Sequence, residues 1–163
     1  TDPDLVRRLI LAGTGPAGGE GINKVTRITY LDTLRGLLTG QDPKVFLFFT
    51  RSANGKREAK AFLGRLSERT ENRDVTVTIA VLRRQLKAIH RWGSSAPQDL
   101  PPITVPCLVA NGDADRMVPI TNTLDLWRRL PDSRLVTYPD AGHGGIFQNH
   151  RPFLDTRLTF LAD

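Results

Sequence analysis

The 163-residue sequence lacks the Gly-x-Ser-x-Gly motif, the sharp strand-to-helix turn on which a serine nucleophile is often exposed. It has one cysteine, Cys107, so an intrachain disulfide is excluded. Because Cys107 lies in an apolar run, we expect its thiol to be buried and inert. A single cysteine also fits a reducing, cytoplasmic setting. No run of 18 apolar residues occurs, which excludes a transmembrane helix. Clustered histidine, cysteine and acidic ligands are also missing, so neither a metal nor a cofactor is predicted.

The N-terminal residues lack the order of charge, apolar stretch and cleavage site that marks a signal peptide. They also lack an initiator methionine. We therefore expect the sequence to begin within a longer protein.

Positive charge is concentrated in residues 51–91, which contain eleven Lys or Arg and four Asp or Glu. Such an excess is compatible with nucleic acid or another acidic surface. No aromatic residues interleave with these charges as a base-stacking platform would require. We therefore interpret the segment as the solvated faces of two helices, with nucleic-acid binding as the alternative.

Apolar periodicity divides the chain into alternating strands and helices. Short unalternating runs predict buried strands at 7–12, 106–111 and 134–138. Helical spacing of apolar residues predicts four helices: from Val25 to Gly40 (apolar residues at 25, 28, 31, 34 and 38), at 58–69 (apolar residues at 59, 62, 63 and 66), at 75–91 (apolar residues at 79, 82, 86 and 89) and at 151–161 (apolar residues at 154, 158 and 161). A further helix is predicted from a cap at Thr121 or Asn122 to Leu130. The aromatic run 45–49 fits either a strand or a helix, and the Ser- and Pro-rich residues 93–106 predict a connection.

This order predicts an α/β fold: a three-layer piece with about three parallel strands, flanking helices and a mostly helical insertion. Residues 1–23 and 93–163 would form the core, and residues 24–92 the insertion. The Asp-Pro-Asp sequence at 2–4 would be the turn that enters the first strand.

Two phrases near the C-terminus carry the strongest chemical signal. Residues 109–119 read Val-Ala-Asn-Gly-Asp-Ala-Asp-Arg-Met-Val-Pro, and residues 138–145 read Tyr-Pro-Asp-Ala-Gly-His-Gly-Gly. They place Asp115 and His143 in loops at the carboxyl ends of neighbouring strands, where open α/β sheets bind ligands. An acid that orients an imidazole forms two members of a catalytic triad. We favour Asp115 over Asp113, which we expect to bond the backbone of its own loop.

Four apolar residues could line an acyl pocket beside this pair: Met117, Ile146, Phe147 and Trp92. Core positions use the same residue types, so the sequence leaves pocket and core equally open.

These phrases resemble the α/β-hydrolase fold family, in particular its esterase and cofactor-free haloperoxidase-like branch. Residues 112–119 look like the acid loop of that family and residues 141–144 like its histidine loop. Residues 6–13 resemble the strand after the nucleophile helix, and residues 24–92 the helical cap or lid that follows it. The resemblance covers nearly the whole chain, and the order of Asp before His agrees with the family.

The resemblance implies hydrolysis of an ester or similar carbonyl substrate by a Ser-His-Asp triad. Asp115 would orient His143, which would act as general base and then general acid. The serine and the oxyanion hole would lie before Thr1, because the serines at 52, 67, 94, 95 and 133 lack a strand-turn-helix context. The chain would then be the C-terminal part of a hydrolase and inactive alone.

Two other functions remain open. The chain could be a non-catalytic or partner-dependent fragment, whose first strand has an exposed edge that pairs with the missing N-terminal half or with a second copy. Alternatively, residues 13–18 spell Gly-x-Gly-x-x-Gly after a strand, with Asp32 about 20 residues on, as in a dinucleotide site. Because Asp32 lies in a helical pattern and Pro16 starts a helix poorly, we prefer a flexible hinge for these glycines.

Overall fold

The computed structural model describes residues 5–68, 70–73 and 75–163. The turn expected at 2–4 and Arg69, the last residue of the helix predicted at 58–69, lie outside these residues. Three parallel strands form one sheet in the order β1 (Leu9–Ala12), β2 (Cys107–Gly112) and β3 (Ser133–Tyr138). The central strand pairs with both neighbours, with Val109 opposite Leu11 on one side and Leu135 on the other. The predicted fold class is confirmed.

Long and short helical connections join these strands. Between β1 and β2 the chain forms a 3₁₀ turn (Ile22–Lys24) and the helices α1 (Val25–Thr39), α2 (Lys44–Phe48), α3 (Ala53–Glu68) and α4 (Ile79–Gly93). We call residues 22–93 the helical connection. Helix α5 (Ile120–Arg129) joins β2 to β3, and α6 (Gly145–Gln148) and α7 (His150–Ala162) follow. In the described part of the chain, no helix is long and apolar enough to cross a membrane.

Several predicted helix boundaries differ from the structure. The undecided aromatic run forms α2, and α6 was not predicted. Helix α4 begins at Ile79 rather than at 75, because the Thr78 hydroxyl accepts a hydrogen bond from the Val81 N–H and caps it. The cap predicted for α5 at Thr121 or Asn122 is wrong, since Pro119 precedes the helix without a side-chain cap.

Two helices bury faces that apolar spacing alone did not identify, and two others each leave one predicted inward residue exposed. In α1 the leucines at 31, 34 and 38 are exposed, whereas Val25, Thr29, Asp32 and Gly36 are buried. In α7 Phe160 is buried and the leucines at 154, 158 and 161 are exposed. Ile79 of α4 and Leu66 of α3 are exposed as well. Helical spacing identifies an apolar stripe, but the neighbouring elements determine which stripe is covered.

Apolar clusters cover both faces of the sheet. On one face of the sheet, Cys107 and Val109 pack with Leu126 of α5. On the other face, Ala110 and Tyr138 pack with side chains of α6 and α7. Cys107 is fully buried, as predicted. Burial, followed by the nearby Asp132 carboxylate, raises the pKa of its thiol, which disfavours the reactive thiolate. The basic side chains of α4 at 83, 84, 87 and 91 are exposed, in agreement with a solvated face.

Candidate active site

The loops that follow β2 and β3 meet at the carboxyl edge of the sheet. Ala114 N–H donates to the Ala141 carbonyl at 3.0 Å, and Asp113 N–H donates to the Tyr138 carbonyl at 3.0 Å. At Gly112 a Cβ atom would lie 2.1 Å from the Ala141 carbonyl oxygen, so the loops approach closely only because this residue is glycine. The parallel sheet therefore brings together the two phrases that the sequence singled out.

Asp115 and His143 are hydrogen-bonded across this contact. Nδ1 of His143 lies 2.9 Å from Oδ2 of Asp115, and because a carboxylate only accepts, the imidazole Nδ1–H is the donor. The Asp115 side chain is fully buried, while 25% of the His143 side chain is exposed. This arrangement leaves Nε2 as the basic nitrogen of a ring that solutes can reach.

The loop that carries Asp115 is held by its own atoms. Oδ1 of Asp115 accepts from the backbone N–H groups of Met117 at 2.8 Å and Val118 at 3.0 Å. The amide of buried Asn111 donates to the Val118 carbonyl and accepts from the Gly112 N–H. Asp115 thus accepts the hydrogen bonds from the loop backbone that we had expected Asp113 to accept.

Asp113, by contrast, is exposed, and no hydrogen bond of its side chain occurs among the described residues. The preference for Asp115 as the acid that contacts His143 agrees with this geometry.

The histidine loop is held mainly by the helical connection. Gly144 N–H donates to the Phe48 carbonyl at 2.8 Å, and the Phe48 ring lies 5.9 Å from the His143 ring between centroids. The Asp140 carboxylate accepts from the hydroxyls of Thr50 at 2.9 Å and Ser52 at 2.7 Å. Sequence reasoning missed these contacts; the dense aromatic run before Thr50 was the available signal.

A second link joins the acid loop to the helical connection. The guanidinium of Arg116 lies 3.3 Å from the carboxylate of Asp32, which is buried in α1. Asp32 is therefore neither at a strand end nor free for a ribose, and the glycine run leads to a 3₁₀ turn rather than directly to an α-helix. Residues 13–18 and Asp32 thus do not have the strand-to-helix arrangement of a dinucleotide site, and that alternative is contradicted.

Three hydrogen bonds join the glycine-rich loop to two other segments, the end of α4 and the start of α5. Gly18 N–H donates to the Trp92 carbonyl, the Trp92 indole donates to the Gly15 carbonyl, and the Asn122 amide donates to the Glu20 carbonyl. These bonds argue against the flexible hinge that we expected.

Two cavities flank His143 and divide the four predicted pocket residues between them. A cavity of about 470 Å³ is lined by Trp92 and Met117, together with apolar residues of the 3₁₀ turn, α1 and α4. A cavity of about 220 Å³ is lined by Ile146 and Phe147. Met117 is 8% exposed and belongs to an apolar cluster, so it serves core and cavity at once. Thr14 also lines the larger cavity and was missed because it lies within the glycine run.

The described residues supply no serine partner for the imidazole. The hydroxyls of Ser52, Ser67, Ser95 and Ser133 bond to other groups, and His143 is hydrogen-bonded to Asp115 alone within residues 5–68, 70–73 and 75–163. The same residues contain no group of three or more His, Cys, Asp or Glu side chains placed to hold a metal ion.

Known proteins share both the sequence pattern and the fold. The alpha/beta hydrolase family model matches residues 2–156. The chain is 40% identical over 55 residues, 34% of its length and 20% of the relative's, to the protein named "Putative carbamate hydrolase RutD" from Acinetobacter baylyi. An alpha/beta hydrolase fold protein from Chitinophaga pinensis superposes with a TM-score of 0.87 at 32% identity, over 98% of this chain and 57% of that one.

A more distant structure shows the same fold. A thermophilic esterase from Thermogutta terrifontis has a TM-score of 0.62 at 19% identity, over 98% of this chain and 57% of the esterase. The chain thus spans little more than half the length of the solved structures it matches. From the family match over most of the sequence, together with the fold, we conclude that the chain belongs to the alpha/beta hydrolase family.

Proposed function

We propose that this chain supplies the acid and the histidine of a serine hydrolase that cleaves an ester or similar carbonyl substrate. The observation that carries the proposal is the 2.9 Å hydrogen bond from His143 to the buried Asp115 carboxylate, at the junction of two cavities. A buried carboxylate fixes the imidazole tautomer and stabilises the imidazolium that forms when Nε2 takes a proton.

In this proposal the nucleophilic serine and the oxyanion donors come from residues before Thr1. His143 removes the proton of the serine hydroxyl as the oxygen attacks the carbonyl carbon, and then gives that proton to the leaving group. A water molecule repeats the sequence to release the acid. Asp115 holds the imidazole in one orientation throughout, because Oδ2 accepts from the imidazole while Oδ1 is fixed by two backbone N–H groups.

The two cavities indicate how a substrate would lie. His143 lines both, so the scissile bond would be at the junction, with the larger substituent beside Trp92 and Met117 and the smaller one beside Ile146 and Phe147. Apart from His143, no charged side chain lines either cavity among the described residues. An uncharged substrate is therefore favoured.

We further propose that residues 24–92 act as a cap over a core formed by residues 1–23 and 93–163. Support comes from the contacts of the helical connection with both catalytic loops and from its contribution of Trp92 to the larger cavity. A cap in this position would exclude water from the reacting groups.

The test is hydrolysis of p-nitrophenyl acetate by the chain alone and by the chain extended at its N-terminus with a segment that carries the proposed serine and oxyanion donors. We expect turnover only in the extended protein, abolished by Asp115→Ala and by His143→Ala. Asp113→Ala is the matched control, since it removes a neighbouring exposed carboxylate without touching the imidazole.

Turnover that survives both substitutions would contradict the roles of Asp115 and His143. Turnover by the unextended chain that depends on both residues would instead place the nucleophile inside residues 1–163 and contradict the proposed position of the serine.

A partner-dependent role is favoured by one observation, the free edge of β1. Within the described residues, β1 pairs only with β2, so its other edge carries unpaired backbone groups. We propose that a strand of the N-terminal half, or of a second copy, pairs there. Light scattering should then show association of the isolated chain or its capture by the N-terminal half; a monomer that binds no such segment would contradict this.

A further inference from the structure

The histidine loop depends on atoms outside itself. Asp140, three residues before His143, adopts a left-handed backbone conformation with φ of 50°. This conformation is uncommon for residues other than glycine, although aspartate tolerates it better than most. Surrounding contacts must therefore stabilise it.

Those contacts come from the segment between α2 and α3. The Thr50 hydroxyl donates to Oδ1 of Asp140 and the Ser52 hydroxyl donates to Oδ2, so each carboxylate oxygen has its own donor. The Ser52 oxygen in turn accepts from the Gly55 N–H at 2.9 Å in the first turn of α3. The Asp140 carboxylate thereby joins the histidine loop to the start of a sixteen-residue helix.

Two further bonds fix the loop on either side of His143. The Gln148 amide donates to the Asp140 carbonyl at 2.9 Å, and Gly144 N–H donates to the Phe48 carbonyl at 2.8 Å. The donors around the Asp140 carboxylate, first Ser52 and then Thr50 and Asn54, also lower the pKa of that carboxyl.

We propose that Asp140 is a positioning residue that holds His143 in hydrogen-bonding reach of Asp115, by fastening the histidine loop to Thr50 and Ser52. The inference rests on the proposed role of His143 as the catalytic base. Asp140 itself contacts neither the imidazole nor the cavities, and it acts through the loop. The helical connection would thus support the catalytic pair as well as line the larger cavity.

The test uses the 163-residue chain and the imidazole Nδ1–H proton observed by NMR, which needs no serine and no turnover. The protein has three histidines, and His143→Gln identifies the resonance. In Asp140→Ala we expect this resonance to be lost, or its exchange with solvent to become at least about tenfold faster, under conditions where circular dichroism shows the native fold. A role in stability alone would leave the resonance of the folded state unchanged.

Three further variants provide a second disruption of the same contact, a conservative rescue and a control. Thr50→Val preserves the side-chain shape and removes one donor, so it should accelerate exchange even if Asp140→Ala does not fold. Asp140→Asn keeps an oxygen for the Ser52 hydroxyl and gains an amide that donates to the Thr50 oxygen, so it should restore the signal. Ser133→Ala, which removes a hydroxyl bonded to the Trp127 carbonyl outside this loop, should have no effect.

An unchanged resonance in both Asp140→Ala and Thr50→Val would overturn the positioning role while leaving the proposed function intact. If the parent protein shows no such proton in the absence of any substitution, the pairing of His143 with Asp115 fails, and both proposals fall with it.

Discussion

The Asp115 loop and the His143 loop lie side by side but are stabilised in different ways. Asp115 and Asn111 are buried, and their side chains bond the Asp115 loop to its own backbone, through Oδ1 of Asp115 and the amide of Asn111. The His143 loop is partly exposed and bonded to a distant part of the sequence, through Phe48, Thr50 and Ser52. In the proposed function the acid must hold the imidazole in one orientation, whereas a base that exchanges protons with the substrate must be accessible. The difference in support agrees with these two proposed roles.

The largest effect should come from breaking the buried end of the pair. Asp115→Asn keeps the shape but removes the charge and can favour the wrong imidazole tautomer, and we expect kcat of the extended, active protein to fall by about 10⁴-fold. Esterase assays alongside Asp113→Asn, which alters an exposed carboxylate two residues away, measure the contrast. Equal losses in the two variants would contradict the assignment of the acid.

The self-supporting character of the acid loop can be tested at Asn111, which is 1% exposed. Asn111→Ala leaves the Gly112 N–H and the Val118 carbonyl without partners, and should lower the free energy of unfolding by about 3 kcal/mol. Urea denaturation should show almost no change for Asn23→Ala, an exposed control. Similar values for the two variants would show that the loop does not rely on this side chain.

The dependence of the histidine loop on the helical connection can be tested by a single methyl group. A Cβ at Gly142 would lie 2.7 Å from the Phe48 carbonyl oxygen, so Gly142→Ala should cost about 2 kcal/mol of unfolding free energy. At Gly64 in α3 a Cβ meets no atom within 4 Å, and alanine there should stabilise the protein by up to about 1 kcal/mol. Thermal unfolding that moves both variants in the same direction would contradict the close contact.

The smallest effect should be the response of the histidine loop to acid. Hydroxyl donors hold the pKa of Asp140 below the ordinary aspartate value of 3.8, so its contribution to stability is present above that pH and lost as the pH falls through the lowered pKa. The difference in urea midpoint between the parent protein and Asp140→Ala should therefore shrink below about pH 3.8. A difference that stays constant with pH would show that the charge of Asp140 contributes nothing.

Local signals in the sequence were sufficient for the three strands and for the choice of Asp115 and His143 as a candidate pair. Unalternating apolar runs bounded by turn residues identified the three strands that the structure describes. Strand β2 is buried at every position, whereas β1 and β3 are only partly buried. Asp115 and His143 were identifiable because each follows such a run, and parallel strands bring their carboxyl ends to one edge. The family resemblance, stated on the two loop phrases, agrees with the family match over residues 2–156.

Only the tertiary structure decided which surfaces meet. An apolar stripe on a helix does not specify its neighbour, which is why the leucines of α1 and α7 were assigned to the wrong face. The links from Asp140 to Ser52 and from Arg116 to Asp32 join residues more than eighty positions apart, and hydrogen bonds of that separation have no local sequence signature. The sequence by itself therefore determined the strands, the order of the acid and the base, and the fold class. Packing of the helical connection on the sheet edge determined the support of His143 and the two cavities beside it, since both arise from contacts between distant segments.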